Sequence, residues 1–476
     1  MCFGVRLNGV AMSPTKGVTE RAGDDALGYF FELCGRADGR EDHDVLSYKI
    51  ETSSIRNCFS PTAPLTVLLG MKGVGKSTAF KIMTSDAGSG FLVLGFAPGS
   101  TRFKRLSSAQ PGLLRERYIA LFLSTCLTLL NESELVSAAD RAGLSSIVAP
   151  LKSLMQGLTD AVLEGRGRIK GGSAFGFGVS LDLSADDEKK LDKFDRAAAR
   201  KKLQSLANKG ISVRLFIDDP EQSLPPGEDG QNSLIGLVLA ANEINVNFRG
   251  VVGVTVLLKT HIYRRIAGNE ELANIFPAQR GVLSWTEEEL ISAVDSRLSF
   301  ARVPYNDAFA FDKASLKNRI ISVLRNGPRD LFAWIGLAAR ASNGTKLKLD
   351  HFSKTTKEIG EYSMQQISTA YAETVPNTAR LLQLVFSTKK ETNWEALIKT
   401  IADMRINNKE FVELSQKSML EQSSDYAKFF LEAGALQLVT KDRITEPFGK
   451  NYHESSEVGK QTRVKMHPLL AAALLD

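Results

Sequence analysis

Cysteine and histidine are scarce in this chain, and their scarcity excludes several kinds of site. The 476 residues include four cysteines and five histidines. The cysteines form no Cys-x-x-Cys pair and the histidines are scattered, so a disulfide framework, a zinc site and a histidine metal site are not expected. We expect reduced thiols at Cys2, Cys34, Cys58 and Cys126.

Long hydrophobic runs and a strong charge of one sign are also missing. The most apolar stretch, 118–130, is interrupted by Ser124, Thr125 and Thr128 and is too short to span a bilayer. The N-terminus shows no charged-then-apolar secretory pattern. We therefore expect a cytoplasmic protein with no membrane partner. The formal net charge of +6 permits contact with nucleic acid but does not argue for it.

What the chain does contain is a glycine-rich loop between a strand pattern and a helix pattern. Residues 70–77 read GMKGVGKS, which fits G-x-x-x-x-G-K-S; the apolar run 65–69 precedes them, and 76–83 favour a helix. Glycines let successive N–H groups turn into one concavity, and the helix N-terminus adds partial positive charge. Both features suit a phosphate group, so we predict that this loop binds a nucleotide.

The loop predicts a task for each of its polar side chains. Lys76 would reach the β- and γ-phosphates, and the Ser77 hydroxyl would ligate Mg²⁺. The predicted nucleotide-binding residues are Gly70, Met71, Lys72, Gly73, Val74, Gly75, Lys76, Ser77 and Thr78.

A second element closes on carboxylates. Residues 213–221 read VRLFIDDPE, a mostly apolar run that ends at Asp218 and Asp219. A buried parallel strand has this pattern, and its C-terminal edge is where ligands bind in an open α/β sheet. We predict that Asp218 holds Mg²⁺ directly or through water, and that Asp219 orients or deprotonates the attacking water. Glu221 is the competing candidate for that second role.

Strand patterns alternate with helical patterns through the first 300 residues. This alternation predicts an α/β fold with a parallel sheet and right-handed crossovers. The glycine-aromatic segment 171–179 is expected to be a flexible hairpin or loop, because no helix start follows its glycines. The five predicted strands are 65–69, 91–97, 213–218, 251–258 and 281–285.

With these elements in order, the chain resembles the AAA+-like P-loop ATPases of the group that contains origin-recognition ATPases and STAND signalling ATPases. It is most similar to a poorly characterised prokaryotic family of P-loop ATPases often encountered near mobile-element and phage-conflict genes. GMKGVGKS matches the nucleotide loop of the group. LFIDD at 215–219 matches its acidic strand, with Asp219 where AAA+ members have glutamate. The resemblance covers about 22–476 and implies ATP and Mg²⁺ as cofactors and ATP hydrolysis as the activity.

The resemblance also implies roles for single polar residues outside the loop. Lys259 falls where this group places a residue that senses the γ-phosphate. Arg329, in the run Gly-Pro-Arg-Asp that opens a helix, resembles the second sensor, which contacts phosphate from the lid. Arg280 lies in the region that often bears an arginine finger acting on a neighbouring subunit, and Arg264 and Arg265 compete for that role.

The tail from Pro376 resembles a winged-helix module. Its positive and negative residues roughly balance and no stripe of lysine or arginine marks a recognition helix, so sequence-specific DNA binding is not supported. The predicted organisation is a poorly structured N-terminus at 1–21, a P-loop ATPase core at 22–300, a helical lid at 301–373 and a winged-helix-like domain at 374–476.

The function implied is an ATP-driven molecular switch of a prokaryotic regulatory or antiphage conflict system. ATP would close the lid and promote assembly with further copies of the chain or with an effector protein, and hydrolysis would reset the system. Two alternatives stay open at this point. One is a DNA-bound ATPase of the origin-loader or transposition-helper type, and the other is a nucleotide-bound scaffold with slow turnover.

Overall fold

A computed structural model describes most of the chain. The predicted poorly structured segment 1–21 and Lys72 lie outside the described residues. The residues described are 25–36, 44–60, 64–71, 73–85, 91–96, 110–133, 136–151, 173–174, 185–222, 224, 227–273, 279–325, 327–372, 374–387, 391–440, 443–445 and 458–475.

The described residues contain ten strands and twenty-one α-helices, which are numbered in chain order. The strands are β1 Val67–Gly70, β2 Phe91–Phe96, β3 Ser173–Ala174, β4 Ser212–Asp218, β5 Val252–Lys259, β6 Arg280–Val282, β7 Glu391–Asn393, β8 Leu436–Thr440, β9 Arg443–Thr445 and β10 Arg463–Met466.

The helices of the first 301 residues are α1 Ala26–Gly35, α2 Ser53–Cys58, α3 Lys76–Ser85, α4 Pro111–Glu132, α5 Ala138–Val148, α6 Ala185–Asp192, α7 Arg196–Ala207, α8 Glu228–Asn247, α9 Thr260–Ala267, α10 Glu270–Ala273 and α11 Glu287–Ala301. The later helices are α12 Tyr305–Ala308, α13 Lys313–Arg319, α14 Pro328–Ala341, α15 Leu349–Lys354, α16 Thr356–Ala370, α17 Thr378–Phe386, α18 Trp394–Asn407, α19 Lys409–Ser415, α20 Ser423–Glu432 and α21 Pro468–Leu474. Short 3₁₀ helices are Val45–Tyr48, Ala149–Leu151, Pro220–Gln222 and Ile321–Val323.

The first six strands form one parallel sheet in the order β3-β2-β4-β5-β1-β6. The predicted α/β class with a parallel sheet is therefore confirmed. The sheet has one strand more than predicted, because Ser173–Ala174 pairs with β2 at the edge. These two residues lie in the segment 171–179 that we expected to be a hairpin or loop, and a two-residue edge strand is too short to give a strand pattern in sequence.

Helices cover both faces of this sheet, which explains why its strands are apolar almost throughout. Along β4, Val213, Leu215 and Ile217 belong to a core that includes residues of α4 and α8. Phe216 lies on the opposite face of the same strand and belongs to a second core with residues of α2 and α3. Alternate residues of a strand point to opposite faces, so both sets must be apolar to be buried.

The parallel arrangement brings three strand ends to the same edge of the sheet. Gly70, the last residue of β1, pairs with Lys259, the last residue of β5, and Asp218 at the end of β4 pairs with Leu257. The glycine-rich loop, the acidic pair and the predicted sensor lysine are far apart in sequence but adjacent at this edge. This is the edge at which ligands bind in open α/β sheets.

A helical region follows the sheet, and α1 packs on it. Phe30 and Leu33 of α1 share a buried core with residues of α11 and α14, such as Leu290 and Leu331. The run Thr-Glu-Glu-Glu at 286–289 predicts a capping box at the start of a helix, and α11 does begin with one, in which Thr286 and Glu289 exchange hydrogen bonds. Helix α14 begins at Pro328, also as predicted.

The C-terminal region combines helices with a separate sheet in the order β7-β10-β8-β9, all of whose pairs are antiparallel. Its own apolar core includes Leu381, Trp394, Tyr426 and Val464. The narrower assignment to a winged-helix module stays a prediction, as do the domain boundaries. Among the residues described, no helix is both long and apolar enough to cross a membrane.

Candidate functional site

A cleft of about 900 Å³ lies at the carboxyl edge of the parallel sheet. Its walls come from the glycine-rich loop, the end of β4, helix α9, the start of α14 and the segment before the sheet. The predicted residues that line it are Met71, Gly73, Gly75, Lys76, Ser77, Thr78, Asp219, Glu221, Lys259 and Arg329.

The glycine-rich loop is shaped by backbone angles and contacts that need glycine. Gly73 and Gly75 have φ of 93° and 100°, a region that other L-residues rarely adopt. At Gly70 the reason is space: a Cβ there would lie 2.7 Å from Cγ1 of Val74 and 2.9 Å from Cγ of Lys76. Gly70 therefore lets the loop fold back over the end of β1, with Lys76 packed against it.

Lys76 is the buried cation of the loop. Its side chain is 6% exposed, and Nζ donates to the carbonyl oxygens of Gly70 at 3.2 Å and Met71 at 3.4 Å. Burial lowers the pKa of Lys76, and the carboxylate of Asp219 opposes that shift. A buried ammonium that faces a cleft provides a strong electrostatic attraction for an incoming anion.

The acidic pair lies directly beside this lysine. Asp218 and Asp219 are 3% and 5% exposed, and one carboxylate oxygen of Asp219 lies 4.0 Å from Nζ of Lys76. Asp219 has φ of 43°, a left-handed conformation that aspartate tolerates better than most residues. The turn ends the strand abruptly, so that Asp219 lines the cleft directly after the last residue of β4.

Lys259 completes a cluster of alternating charges. Its Nζ lies 3.1 Å from a carboxylate oxygen of Glu221 and 3.9 Å from one of Asp219. Burial lowers the pKa of Lys259, but the two carboxylates outweigh burial and raise it overall. Burial also raises the pKa of Glu221, against the opposing charge of Lys259. Both candidate bases are thus held by ammonium groups at the cleft wall.

Two residues whose side-chain oxygens suit a magnesium ion lie at the predicted positions. Ser77 lines the cleft at the start of α3, and Asp218 lies at the end of β4. Hydroxyl and carboxylate oxygens suit Mg²⁺, which commonly takes one or two protein carboxylates together with substrate phosphates. In the part of the chain that the structure describes, no cluster of three or more His, Cys, Asp or Glu side chains could hold a metal by itself.

Arg329, in the first turn of α14 and in the predicted lid, lies close to the loop. It lines the cleft and donates to the side-chain oxygen of Gln366 at 3.5 Å. Its neighbour Pro328 lies close to the loop: a Cβ placed on Gly75 would be 3.8 Å from Cγ of the proline ring. The structure therefore brings the sequence-predicted Arg329 to the same cleft as the glycine-rich loop.

Arg280 lies elsewhere. It is the first residue of β6 and pairs with Val67, the first residue of β1, so it sits at the opposite edge of the sheet from the loop. Its guanidinium donates to the hydroxyl of Tyr263 at 3.2 Å and lies 5.6 Å from the centre of that ring. Arg280 is not among the residues that line the cleft of its own chain.

Helix α9 supplies two cleft residues that reach the C-terminal region. Arg265, one of the two alternatives to Arg280 as an arginine finger, lines the cleft and donates to the side-chain hydroxyl of Thr374. His261 also lines the cleft, and its ring lies 4.5 Å from that of Tyr371. Burial, and then the charges of Lys259 and Arg265, hold the pKa of His261 well below its ordinary value. The side chain of Arg264 lies outside what the structure describes.

Sequence reasoning missed an aromatic part of the cleft wall. Tyr48 and Phe332 line the cleft with Arg297, whose guanidinium carbon lies 4.6 Å and 3.4 Å from the respective ring centres. Trp285 also lines the cleft and donates from Nε1 to the carbonyl oxygen of Val74 at 2.7 Å. These residues come from distant parts of the chain, and no motif signals that they meet.

Comparison with known proteins gives similarities of structure only. No protein-family model matches the chain, and neither does any curated protein. A Walker-type ATPase of Pyrococcus abyssi is similar with a TM-score of 0.41 and 11% identity, over 94% of this chain and 99% of that chain.

Two proteins of Aeropyrum pernix are also similar. The ORC2 protein, in ADPNP–ADP complexes, gives a TM-score of 0.39 and 13% identity over 88% of each chain. The ORC1 protein, in complex with DNA, gives 0.33 and 13% over 94% of this chain and 91% of that one. These TM-scores are below 0.5, so the function proposed below rests on the residues of the cleft itself.

Proposed function

We propose that this protein binds ATP with Mg²⁺ and hydrolyses it, and that the nucleotide state controls assembly. The observation that carries the proposal is the charge cluster at the sheet edge. The ammonium group of Lys76 lies 4.0 Å from a carboxylate oxygen of Asp219. The ammonium group of Lys259 lies 3.9 Å from Asp219 and 3.1 Å from Glu221. The cluster adjoins a glycine-rich loop at a helix N-terminus. Cations for phosphate and a carboxylate for water are the groups that phosphoanhydride hydrolysis requires.

The roles follow from where each group lies. Lys76 and the loop N–H groups would bind the phosphates, and Lys259 would contact the γ-phosphate. Ser77 and Asp218 would hold Mg²⁺, which neutralises phosphate charge when it is bound. Asp219 would orient the attacking water and accept its proton, with Glu221 as the alternative base.

The aromatic wall suits the base of the nucleotide. Tyr48 and Phe332 present apolar ring surface to the cleft, and Val45 and Ile50 extend it. A purine needs such a surface because most of its area is flat and apolar, with polar atoms only at its edge. This wall is built jointly by the segment before the sheet and by the lid helix α14, so a bound base would contact both.

The contacts of the cleft with the C-terminal region support a role as a switch. Arg265, six residues after Lys259, donates to Thr374. His261, two residues after Lys259, lies against Tyr371, which packs in the apolar core of the C-terminal region. On the lid side, Arg325 donates to the carbonyl oxygen of Ala433 at 3.0 Å. A change at the phosphate sensor would therefore reach the C-terminal region through direct contacts.

The proposal also covers the helical and C-terminal regions, assembly, and the system in which the protein acts. The helical region at 301–373 would act as the lid, and 374–476 would be a winged-helix-like module that reports nucleotide state. ATP would favour assembly with other copies of the chain or docking of an effector protein. A place in a regulatory or antiphage system rests on the sequence resemblance alone.

The direct test is ATP binding and phosphate release by the purified full chain, with and without Mg²⁺. We expect saturable ATP binding and phosphate release that stops when EDTA removes the metal. Binding of ATP without any release would favour the nucleotide-bound scaffold. If neither ATP binding nor release is detected at millimolar ATP, the proposed function is wrong.

The lid residue Arg329 gives the first mutational prediction. Arg329→Ala should weaken ATP binding by about tenfold or more, because a charge-assisted hydrogen bond contributes about 1.5–3 kcal/mol. Isothermal titration with ATP measures the effect. Arg340→Ala is the matched control, since Arg340 lies in the last turn of the same helix, is exposed and does not line the cleft. Equal affinities of the two variants would remove Arg329 from the site.

Arg280 gives a prediction about assembly. If it acts on a neighbouring subunit, Arg280→Ala should lower turnover about tenfold or more with little change in ATP affinity, because the side chain would act in the transition state only. Activity per molecule of wild type should also rise with protein concentration, and ATP should promote association more than ADP does. Turnover and sedimentation across a dilution series measure both effects.

A mixing experiment separates a role in the neighbouring site from a role within the chain. Arg280→Ala subunits keep an intact cleft, whereas Lys76→Ala subunits keep an intact Arg280. Mixing the two impaired variants should therefore raise turnover above the sum of their separate activities if the arginine acts between subunits. No gain on mixing, together with concentration-independent activity of a strict monomer, would leave a self-contained ATPase.

A further inference from the structure

Trp285, in the segment between β6 and α11, forms a side-chain hydrogen bond with the glycine-rich loop. Its Nε1–H donates to the carbonyl oxygen of Val74 at 2.7 Å. A Cβ placed on Gly75 would lie 3.8 Å from Nε1 and Cζ2 of the same ring. The indole thus contacts the loop at the peptide bond that joins Val74 to Gly75.

This contact controls the direction of one N–H group. A trans peptide is planar, so its carbonyl oxygen and its N–H point to opposite sides. When the indole holds the carbonyl oxygen of Val74, the N–H of Gly75 must point away from the tryptophan. Gly75 itself has φ of 100° and lacks a side chain, so its own backbone angles restrain the peptide less than those of other residues would.

The same ring belongs to two hydrophobic cores at once. It packs against the core under α3, which includes Leu68 and Phe80, and against the core of the lid, which includes Leu290 and Leu331. On the lid side a Cβ placed on Gly327, the residue before α14, would lie 3.2 Å from Cδ1 of Trp285. The indole therefore lies between the phosphate loop and Gly327, the residue that precedes the lid helix.

We propose that Trp285 is a positioning residue for phosphate binding, which orients the loop peptide and couples its position to the start of the lid. The inference rests on the proposed function, because it assigns to the loop N–H groups the task of binding phosphate. Phosphate binding moves charge onto the loop, and the hydrogen bond from the indole keeps the carbonyl dipole of Val74 turned away from that charge. Pro328 and Arg329 follow Gly327 directly, so the ring also sets where the lid helix begins relative to the loop.

The test compares two conservative variants of buried or half-buried tryptophans. Trp285→Phe keeps an aromatic ring between the loop and Gly327 but removes the N–H donor. Trp334→Phe is the control: its Nε1 donates to the carbonyl oxygen of Phe352 at 3.2 Å and the hydroxyl of Thr355 at 3.1 Å, inside the lid core and away from the loop. Both variants lose an indole hydrogen bond, and only one of those bonds holds the loop.

We expect Trp285→Phe to bind ATP about 3- to 10-fold more weakly than wild type, which is the effect of one lost hydrogen bond. Trp334→Phe should bind ATP as wild type does, even if its melting temperature falls further. Tryptophan fluorescence gives a second readout. The change on adding ATP should persist in Trp334→Phe and be lost in Trp285→Phe, because only the indole at the loop would sense the nucleotide.

The outcomes separate the two proposals. If wild type binds ATP and both variants bind it equally, the positioning role of Trp285 is wrong and the proposed function stands. If both variants bind ATP more weakly in proportion to their loss of melting temperature, the effect is one of general stability and the positioning role is again wrong. If wild type binds no ATP, both proposals fall together.

Discussion

Lys76→Ala should abolish most ATP binding while the protein remains folded. The variant removes a buried ammonium from the phosphate cradle, and truncating one partner of a buried charge pair costs about 2–4 kcal/mol, or roughly 30- to 1,000-fold in affinity. Lys76 is not part of the apolar cores described among the residues 25–475, so we expect the variant to fold. Titration calorimetry and thermal unfolding measure the two effects.

A surface lysine provides the control for this variant. The side chain of Lys409 is 92% exposed and lies in the C-terminal region, away from the cleft. Lys409→Ala should bind ATP as wild type does. The difference between the two variants then reports the position of the charge and not the loss of a lysine. If Lys76→Ala keeps full affinity and turnover, the glycine-rich loop is not the phosphate site.

Asp219→Asn should keep ATP binding and lose about 10²- to 10⁴-fold in turnover, the usual contribution of a positioned general base. The substitution preserves the size of the side chain and one acceptor oxygen, but it removes the negative charge and cannot accept the proton of the attacking water. Asp218→Asn should behave differently, with weaker Mg²⁺-dependent ATP binding, because that residue would hold the metal. Single-turnover phosphate release at saturating ATP separates a loss of chemistry from a loss of binding.

Glu221→Gln decides between the two candidate bases. If Asp219 is the base, Glu221→Gln should retain most of its turnover. If Glu221 is the base, its variant should be the inactive one and the pH profile should show it. Burial raises the pKa of Glu221, and a base must be deprotonated, so turnover would then fall as the pH drops through a value above the ordinary glutamate range. An acid limb within the ordinary carboxylate range would argue against Glu221.

The sequence predicted the parts of this protein whose pattern is local. The glycine-rich loop, the apolar strand that ends at Asp218, the capping box at Thr286 and the helix that starts at Pro328 each depend on residues close together in the chain. Short-range backbone preferences and hydrogen bonds determine such elements, so their signatures are readable without the fold. The alternation of strands and helices likewise indicated the parallel sheet.

The tertiary structure decided which of these parts meet. The sequence named Lys76, Asp219, Glu221 and Lys259 separately, and the parallel register places them in one cluster because the carboxyl ends of neighbouring strands share an edge. Arg280 lies away from the cleft of its own chain, because β6 begins at the opposite edge of the sheet. Register of this kind depends on pairing between distant segments, which no local pattern encodes.

The aromatic wall and the contact of Trp285 with Val74 lie beyond sequence reasoning for the same physical reason. An apolar side chain signals burial but not its partner, because the hydrophobic effect is non-directional. Tyr48, Trp285 and Phe332 therefore read as core residues in the sequence. Only the packing of 301–373 against the 3₁₀ helix Val45–Tyr48, and of Trp285 against the loop, places these rings at the cleft. The sequence by itself determined the glycine-rich loop and the acidic strand end, and the fold determined which groups surround them.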